Sequence, residues 1–341
     1  MKALVLRDYM RVEYADAPAP VPGPEEILIR VRACGICGSD IHGMDGSTGR
    51  RRPPIIMGHE AAGEIVAVGA EVAEWEPGDR VTFDSTIYCG KCRYCEADEV
   101  NLCEDRRVLG VSCEDYRRDG AFAELVAVPA RVLFPLPPNL SFEHAAMAEP
   151  VAIALHAVNR SGVGVDETAV VFGTGMIGLL IIQALRIAGC ARIVAVDVDE
   201  ARLAMAQQMG ATDAVLSGSE TVQEIAGILP EGADHCFEVV GIGPTVDAAL
   251  RVVRKGGALT LVGNLSPRID FPLQLAVTRE ITLHGSCASC GEYPAALALI
   301  AQREIDVAPL ISVCAPLREG AEWFDRLYHK EPGLMKVILI P

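Results

Sequence analysis

No stretch of this 341-residue sequence stays apolar for long enough to cross a membrane. The longest apolar run, Met176 to Leu185, is broken by Gln183 and closed by Arg186, well short of the roughly 20 residues a spanning helix needs. Basic residues are scarce. Thirty Lys and Arg stand against 46 Asp and Glu, a formal net charge of −16, and the only basic cluster is Arg50, Arg51 and Arg52. A surface of that sign repels phosphate backbones, so nucleic acid is not an expected partner. Internal repeats, low-complexity tracts and long linkers are also missing. Met1 to Asp8 show neither the apolar core nor the cleavage site of a secretory leader. What is present is a globular composition, half apolar and 22% charged, with length for two domains. Twelve cysteines without an export signal point to a reducing, cytoplasmic setting, where clustered thiols hold metal more often than they pair as disulfides.

The pattern changes once along the chain. In the first part Ile27, Ile29, Val31 and Ala33 alternate with polar partners, and 64–68 and 79–83 are further short strand candidates between Gly/Pro turns, as in an antiparallel sheet. From about Thr168, apolar strand candidates at 169–172, 192–196, 236–240 and 258–262 alternate with helical stretches such as 200–209 and 245–253. That alternation predicts a doubly wound parallel sheet. Beyond Gly285 come two more helical stretches and a final strand, 336–340, expected to return to the first domain because a six-stranded parallel sheet is already complete. The expected division is 1–154 and 289–341 for one domain and 155–288 for the inserted one.

The first strand of the second part runs into Gly173-Thr174-Gly175-Met176-Ile177-Gly178 and then a helix. Gly173 permits the tight turn, Gly175 lets the backbone approach a pyrophosphate, and Gly178 lets helix and sheet pack closely. The helix N-terminus offers free N–H groups and partial positive charge to phosphates. Asp197, 19 residues after Gly178, ends the next strand. A carboxylate there suits the two ribose hydroxyls of NAD and repels the 2′-phosphate of NADP.

Cys89, Cys92, Cys95 and Cys103 form C-x2-C-x2-C-x7-C, and four thiolates suit a closed tetrahedral structural zinc. The ferredoxin run differs, needing three residues before its last Cys and a Pro after it. Cys34-Gly35-Ile36-Cys37 is a poor redox pair, because the βαβ context is missing. Cys37 with His59, Glu60 and the later Glu149 instead makes a Cys, His and carboxylate set, which suits a zinc with one position left open.

Gly58-His59-Glu60-Ala61-Ala62-Gly63 with Gly69 and Val72, together with Cys37-Gly38-Ser39-Asp40-Ile41-His42, the four-Cys lobe, Glu149-Pro150 and the glycine fingerprint, resembles the zinc-dependent medium-chain dehydrogenase family over the whole chain. The resemblance implies an α/β protein with a GroES-like antiparallel β-barrel catalytic domain made from both chain ends. A Rossmann domain is inserted between them, and zinc and nicotinamide meet in the cleft. It implies Cys37 and His59 as catalytic zinc ligands, either Glu60 or Glu149 as the acidic one, and Asp40 orienting His59. Ile177, Asp197, Arg202, Val262, Gly263, Asn264, Cys287, Ala288 and Ser289 match coenzyme-contacting positions. Ser39 and His42 match a hydroxyl-to-imidazole proton relay, and zinc would act as a Lewis acid on the alcohol. Relatives with the structural lobe are often tetramers, so a homo-oligomer is expected.

The closest likeness is to sorbitol/L-iditol and galactitol-phosphate dehydrogenases, with Tyr94-Cys95 and Asn101-Leu102-Cys103 in the bacterial polyol style. Where sorbitol enzymes often carry an aromatic-Arg-aromatic trio, this chain has Cys287-Ala288-Ser289, so a sugar-binding Arg is missing. An L-threonine 3-dehydrogenase, a polyol-phosphate enzyme and an inactive NAD/zinc-binding protein remain open. A metal-free quinone reductase should lack both cysteine sets. Arg50 to Arg52 suit a solvated loop better than an anion site. Cys287 and Cys290 read as pocket or core thiols, and His144, His156, His235, His284 and His329 carry no assigned chemistry.

Overall fold

The computed structural model describes residues 1–341, which divide into two compact units, Met1–Glu149 with Tyr293–Pro341 and Pro150–Glu292. In the first unit the strand Glu26–Gly35 is central. It pairs antiparallel with Glu60–Val68, Leu125–Pro129 and the final strand Lys336–Ile340. Arg80–Phe83 and Leu133–Pro135 extend the sheet beyond Glu60–Val68. The alternation of Ile27, Ile29, Val31 and Ala33 puts all four in the core, while Arg30 and Arg32 face out, the period-2 signature of a half-buried strand. One pairing departs from the expected antiparallel order: Ile311–Pro316 lies parallel to Lys336–Ile340. The helix Gly320–Tyr328 connects them, which permits a parallel return.

The second unit is a six-stranded, wholly parallel sheet in the order Asp213–Leu216, Arg192–Asp197, Thr168–Phe172, Ala233–Glu238, Val253–Leu261, Thr282–Gly285. Strand order reverses beside Thr168–Phe172, so the switch point of the sheet lies at the glycine fingerprint, where such sheets bind ligands. The helix Met176–Ala188 is buried from Gly178 through Leu185 and closes at Gly189, whose φ of 88° is the left-handed conformation that ends helices. No helix is long and apolar enough to cross a membrane. The α/β architecture, an antiparallel GroES-like sheet unit with a Rossmann-type sheet between its two segments, is the one expected.

Candidate active site

The helix Gly38–Met44 begins at Cys37 with reciprocal caps. The Asp40 amide donates to the Cys37 side chain, and the Cys37 amide donates to Asp40 Oδ2 at 3.2 Å. This cap fixes the thiol and buries Asp40 completely. Asp40 Oδ1 lies 3.3 Å from His59 Nδ1, poorly aligned for a hydrogen bond but close enough for strong charge pairing. The other ring nitrogen, Nε2, is 3.5 Å from Ser39 Oγ. Burial alone would raise the Asp40 pKa, yet His59, Arg51 and the Cys37 amide hold it below the usual carboxylate range. Asp40 thus takes the expected place behind the imidazole.

Ligand atoms of Cys37, His59 and Glu60 all lie within 4.8 Å of one another. His59 and Glu60 are buried, Cys37 is half-buried and Ser39 is exposed, so the group is closed behind and open on the Cys37–Ser39 side. Glu149 lies outside this group. Burial, then the Glu60 charge, push its carboxyl up to about 8, so it shares the same electrostatic neighbourhood. His42 is exposed on the same helix as Ser39.

Two residues were not foreseen here. Lys336 Nζ donates to Glu60 at 2.9 and 2.6 Å and to the Ile36 carbonyl at 3.1 Å, with both side chains almost wholly buried. Burial would lower the lysine pKa, but Glu60 and the Cys37 thiol hold it up. A Cβ on Gly35 would stand 2.3 Å from Glu60 Oε2, so a glycine there leaves room for the carboxylate. The available signal was a lysine opening the otherwise apolar strand Val337 to Ile340, because a buried ammonium demands a carboxylate partner. The other is Arg51. The basic run was expected to be solvated, and Arg50 and Arg52 are, but Arg51 is buried beside Ser39 and Asp40.

The four-Cys lobe also comes together, with all four sulfurs within 4.8 Å. Zn–S bonds of about 2.3 Å in a tetrahedron require S···S edges of about 3.8 Å. Cys92–Cys95 at 3.6 Å and Cys89–Cys95 at 4.0 Å bracket that value, and no cysteine of the chain is in a disulfide. Amides of Glu104 and Cys95 bring the Cys92 thiol down to about 6, while burial drives Cys103 up to about 12. A cation among the sulfurs would override that asymmetry, since coordination deprotonates thiols outright.

In the second unit, Gly173, Asp197, Glu238 and Val262 to Asn264 line up at the C-terminal ends of adjacent parallel strands. A Cβ on Gly178 would sit 1.9 Å from the Gly173 carbonyl, so the close helix–strand approach requires glycine. Asp197 is partly committed within the fold. Its Oδ2 accepts from the Thr174 amide at 2.7 Å and hydroxyl at 3.0 Å, and Oδ1 accepts from the Asp199 amide at 3.1 Å. Spare lone pairs remain for ribose hydroxyls. Buried Glu238, unforeseen, accepts from the Val240 and Gly241 amides and from Thr245, and its carbonyl accepts from the Val262 and Gly263 amides. It thereby shapes the loop Val262 to Asn264, one of those expected to meet a coenzyme, and the neighbouring turn at Val240 and Gly241. Arg202 is exposed, 3.8 Å from Asp199, and Cys287, Ala288 and Ser289 follow the edge strand, with Ala288 at a φ of 56° and Ser289 buried.

Residues 23–138 match the family model described as the alcohol dehydrogenase GroES-like domain, and residues 177–302 match that described as zinc-binding dehydrogenase. The chain is 36% identical over 302 residues to an L-idonate 5-dehydrogenase of Vitis vinifera, covering 86% of this chain and 81% of the relative. It is 32% identical to a sorbitol dehydrogenase of Bacillus subtilis (strain 168), covering 100% and 97%. Among solved structures, a zinc-binding dehydrogenase target from Sinorhizobium meliloti 1021 bound to NADP superposes with a TM-score of 0.91 at 33% identity, covering 100% of this chain and 99% of that one.

Proposed function

The chain belongs to the zinc-binding dehydrogenases with an alcohol dehydrogenase GroES-like domain, and on that premise we propose that it oxidises a secondary alcohol of a polyol to a ketone, reducing NAD. The observation that carries this reading is the Cys37–His59–Glu60 group, one sulfur, one imidazole and one carboxylate converging within 4.8 Å and open on one side. When bound, zinc supplies a Lewis acid that lowers a hydroxyl pKa, and the dinucleotide supplies the hydride acceptor. Cys37 and His59 hold the metal, and Asp40 keeps the imidazole turned with Nε2 inward. Glu60 serves as the acidic donor, since it lies within the group while Lys336 holds both its oxygens and orients it. Glu149 is the neighbouring carboxyl, outside that group, whose pKa is raised by burial and then by the Glu60 charge. Ser39 receives the carbinol proton, and exposed His42 delivers it to solvent.

The four-Cys lobe holds a second, structural zinc. Gly173, Gly175, Ile177 and Gly178 cradle the pyrophosphate, while Arg202, Val262 to Asn264 and Cys287 to Ser289 contact the rest of the coenzyme. Asp197, with Asp199 two residues on, favours NAD over NADP by like-charge repulsion of a 2′-phosphate. The polyol reading rests on similarity to sorbitol and idonate enzymes. A homo-oligomer is supported by the exposed apolar side chains Leu273, Val277 and Leu283 on and beside the edge strand Thr282–Gly285, and light scattering tests it. The functional test is NAD and NADP reduction with sorbitol, xylitol, galactitol 1-phosphate, 2,3-butanediol and threonine on zinc-loaded protein. Turnover with a polyol and NAD supports the reading. Turnover with threonine or only with the phosphorylated polyol would move the substrate class, and none with any alcohol would leave a binding protein.

A further inference from the structure

Arg51 is a buried cation beside the reacting groups for which the chemistry above has no use. Its side chain is 5% exposed, between exposed Arg50 and Arg52. The backbone is pinned by a β-bridge to Ser112, with the Ser112 amide donating to the Arg50 carbonyl at 3.1 Å and the Arg52 amide to Ser112 at 3.2 Å. The stem crosses the helix Gly38–Met44 at Gly43, where a Cβ would stand 2.2 Å from Arg51 Cγ. Nη2 reaches Ser39 Oγ and Asp40 Oδ1, each at 3.5 Å, Nη1 reaches the Arg50 carbonyl at 3.4 Å, and Nε is buried without a partner. The Asp40 carboxylate already faces this guanidinium, so its charge is met within the protein. Catalytic contacts of this length commonly tighten when substrate binds.

The donor and acceptor inventory around Ser39 gives the arginine a role. A serine hydroxyl has one hydrogen and two lone pairs, and a guanidinium only donates. Arg51 therefore occupies one lone pair and cannot take the hydrogen. His59 Nε2, 3.5 Å away, cannot accept it either once its own lone pair binds a metal. One lone pair and one hydrogen remain, and a relay needs that combination: the lone pair takes the carbinol proton as the serine's own hydrogen moves to the next acceptor. A bound nicotinamide would accept the carbinol hydrogen as hydride, so protons and electrons would balance. We propose that Arg51 is a positioning residue for proton transfer, pinning Ser39 Oγ so that the hydroxyl can neither rotate into the protein nor divert the proton. The proposal rests on the dehydrogenase reading.

The test uses zinc-loaded enzyme with its best alcohol and the variants Arg51→Ala and Arg51→Lys. It measures kcat, KM, the solvent deuterium isotope effect on kcat, zinc per chain and NADH affinity. General acid–base groups contribute 10²–10⁴-fold, so losing the positioning of one should cost kcat about 10–100-fold in Arg51→Ala, with an enlarged solvent isotope effect. KM, NADH affinity and zinc content should stay within about twofold, the split expected when an interaction made only in the transition state is lost. Added guanidinium should restore part of the kcat of Arg51→Ala, and Arg51→Lys should lie between the alanine variant and the parent. In a Ser39→Ala background the alanine substitution should change kcat by less than about twofold, because both act on one step. Unchanged kcat, the full loss persisting without Ser39, or activity falling in step with zinc would overturn the proposal. So would a raised KM confined to anionic alcohols, which would make Arg51 a substrate contact. A parent without alcohol-dependent NAD reduction would instead overturn the dehydrogenase reading and this proposal with it.

Discussion

Lys336 offers a sharp perturbation of the first unit. Its Nζ holds both oxygens of Glu60, at 2.9 and 2.6 Å, and the Ile36 carbonyl at 3.1 Å, with side chains only 4% and 1% exposed. Lys336→Met keeps the volume but strands a buried carboxylate. Removing one partner of a buried pair typically costs about 3–5 kcal/mol, a large share of the roughly 5–15 kcal/mol that holds a native protein together. For a unit of about 200 residues this corresponds to a melting temperature about 6–20 °C lower. The assay is thermal unfolding of parent and variant, each chelated and zinc-loaded. The full loss should appear in the chelated protein, and zinc should recover part of it by neutralising Glu60. The double variant Lys336→Met/Glu60→Gln should recover most of the remainder, since no uncompensated charge is left. A loss below about 1 kcal/mol in the chelated variant, a value typical of exposed pairs, would refute the reasoning.

Cys103→Ser should lower zinc by one ion per chain while freshly prepared protein still reduces NAD, read by elemental analysis beside an activity assay; unchanged zinc content would contradict a metal in the lobe. Asp197→Ala should cut the preference for NAD over NADP, as the kcat/KM ratio, by at least about tenfold, corresponding to 1.4 kcal/mol, and an unmoved ratio would place coenzyme choice elsewhere. Asp234 accepts from the Thr168 amide at 2.9 Å and from Arg254 at 2.6 Å. Against the upward pull of burial these hold its pKa below 3.8. Its stabilisation is therefore present above the unfolded value and is lost as pH falls through the lower folded value. Asp234→Asn should cost about 1–2 kcal/mol at pH 7, discounted because Arg254 is part-exposed, and the gap should shrink in acid, below the ordinary Asp value of about 3.9. Urea unfolding at both pH values checks this, and a gap independent of pH would argue for lost packing instead.

The motifs legible in the sequence are those whose chemistry is carried by short spacing. The four cysteines lie within 15 residues, the fingerprint within six, and Cys37 caps the short helix that carries Ser39, Asp40 and His42. Alternation revealed the strand Glu26–Gly35, and the final strand is Lys336–Ile340 as read. Asp213–Leu216 and Thr282–Gly285 escaped notice because each is only four residues long and carries polar residues, too short for periodicity to register. The ion pair of Lys336 with Glu60 spans 276 residues, and only the return of the last strand beside Gly35 brings the two together. Arg51 was concealed by composition. Three consecutive arginines suggest a solvated run, and nothing local shows that Gly43 opens a groove for the middle one. Asp197 was identified, but not its prior engagement by Thr174 and Asp199, because backbone donors leave no trace in residue type.

On the reading proposed above, Cys37 and His59 hold the zinc at which alcohol is oxidised. Zinc per chain and secondary-alcohol-dependent NADH formation, measured together on parent and Cys37→Ser, test it most directly. Two zinc ions and turnover are expected in the parent, then one zinc ion, no turnover and unaltered NADH binding in the variant. Full turnover by Cys37→Ser carrying a single zinc would contradict it.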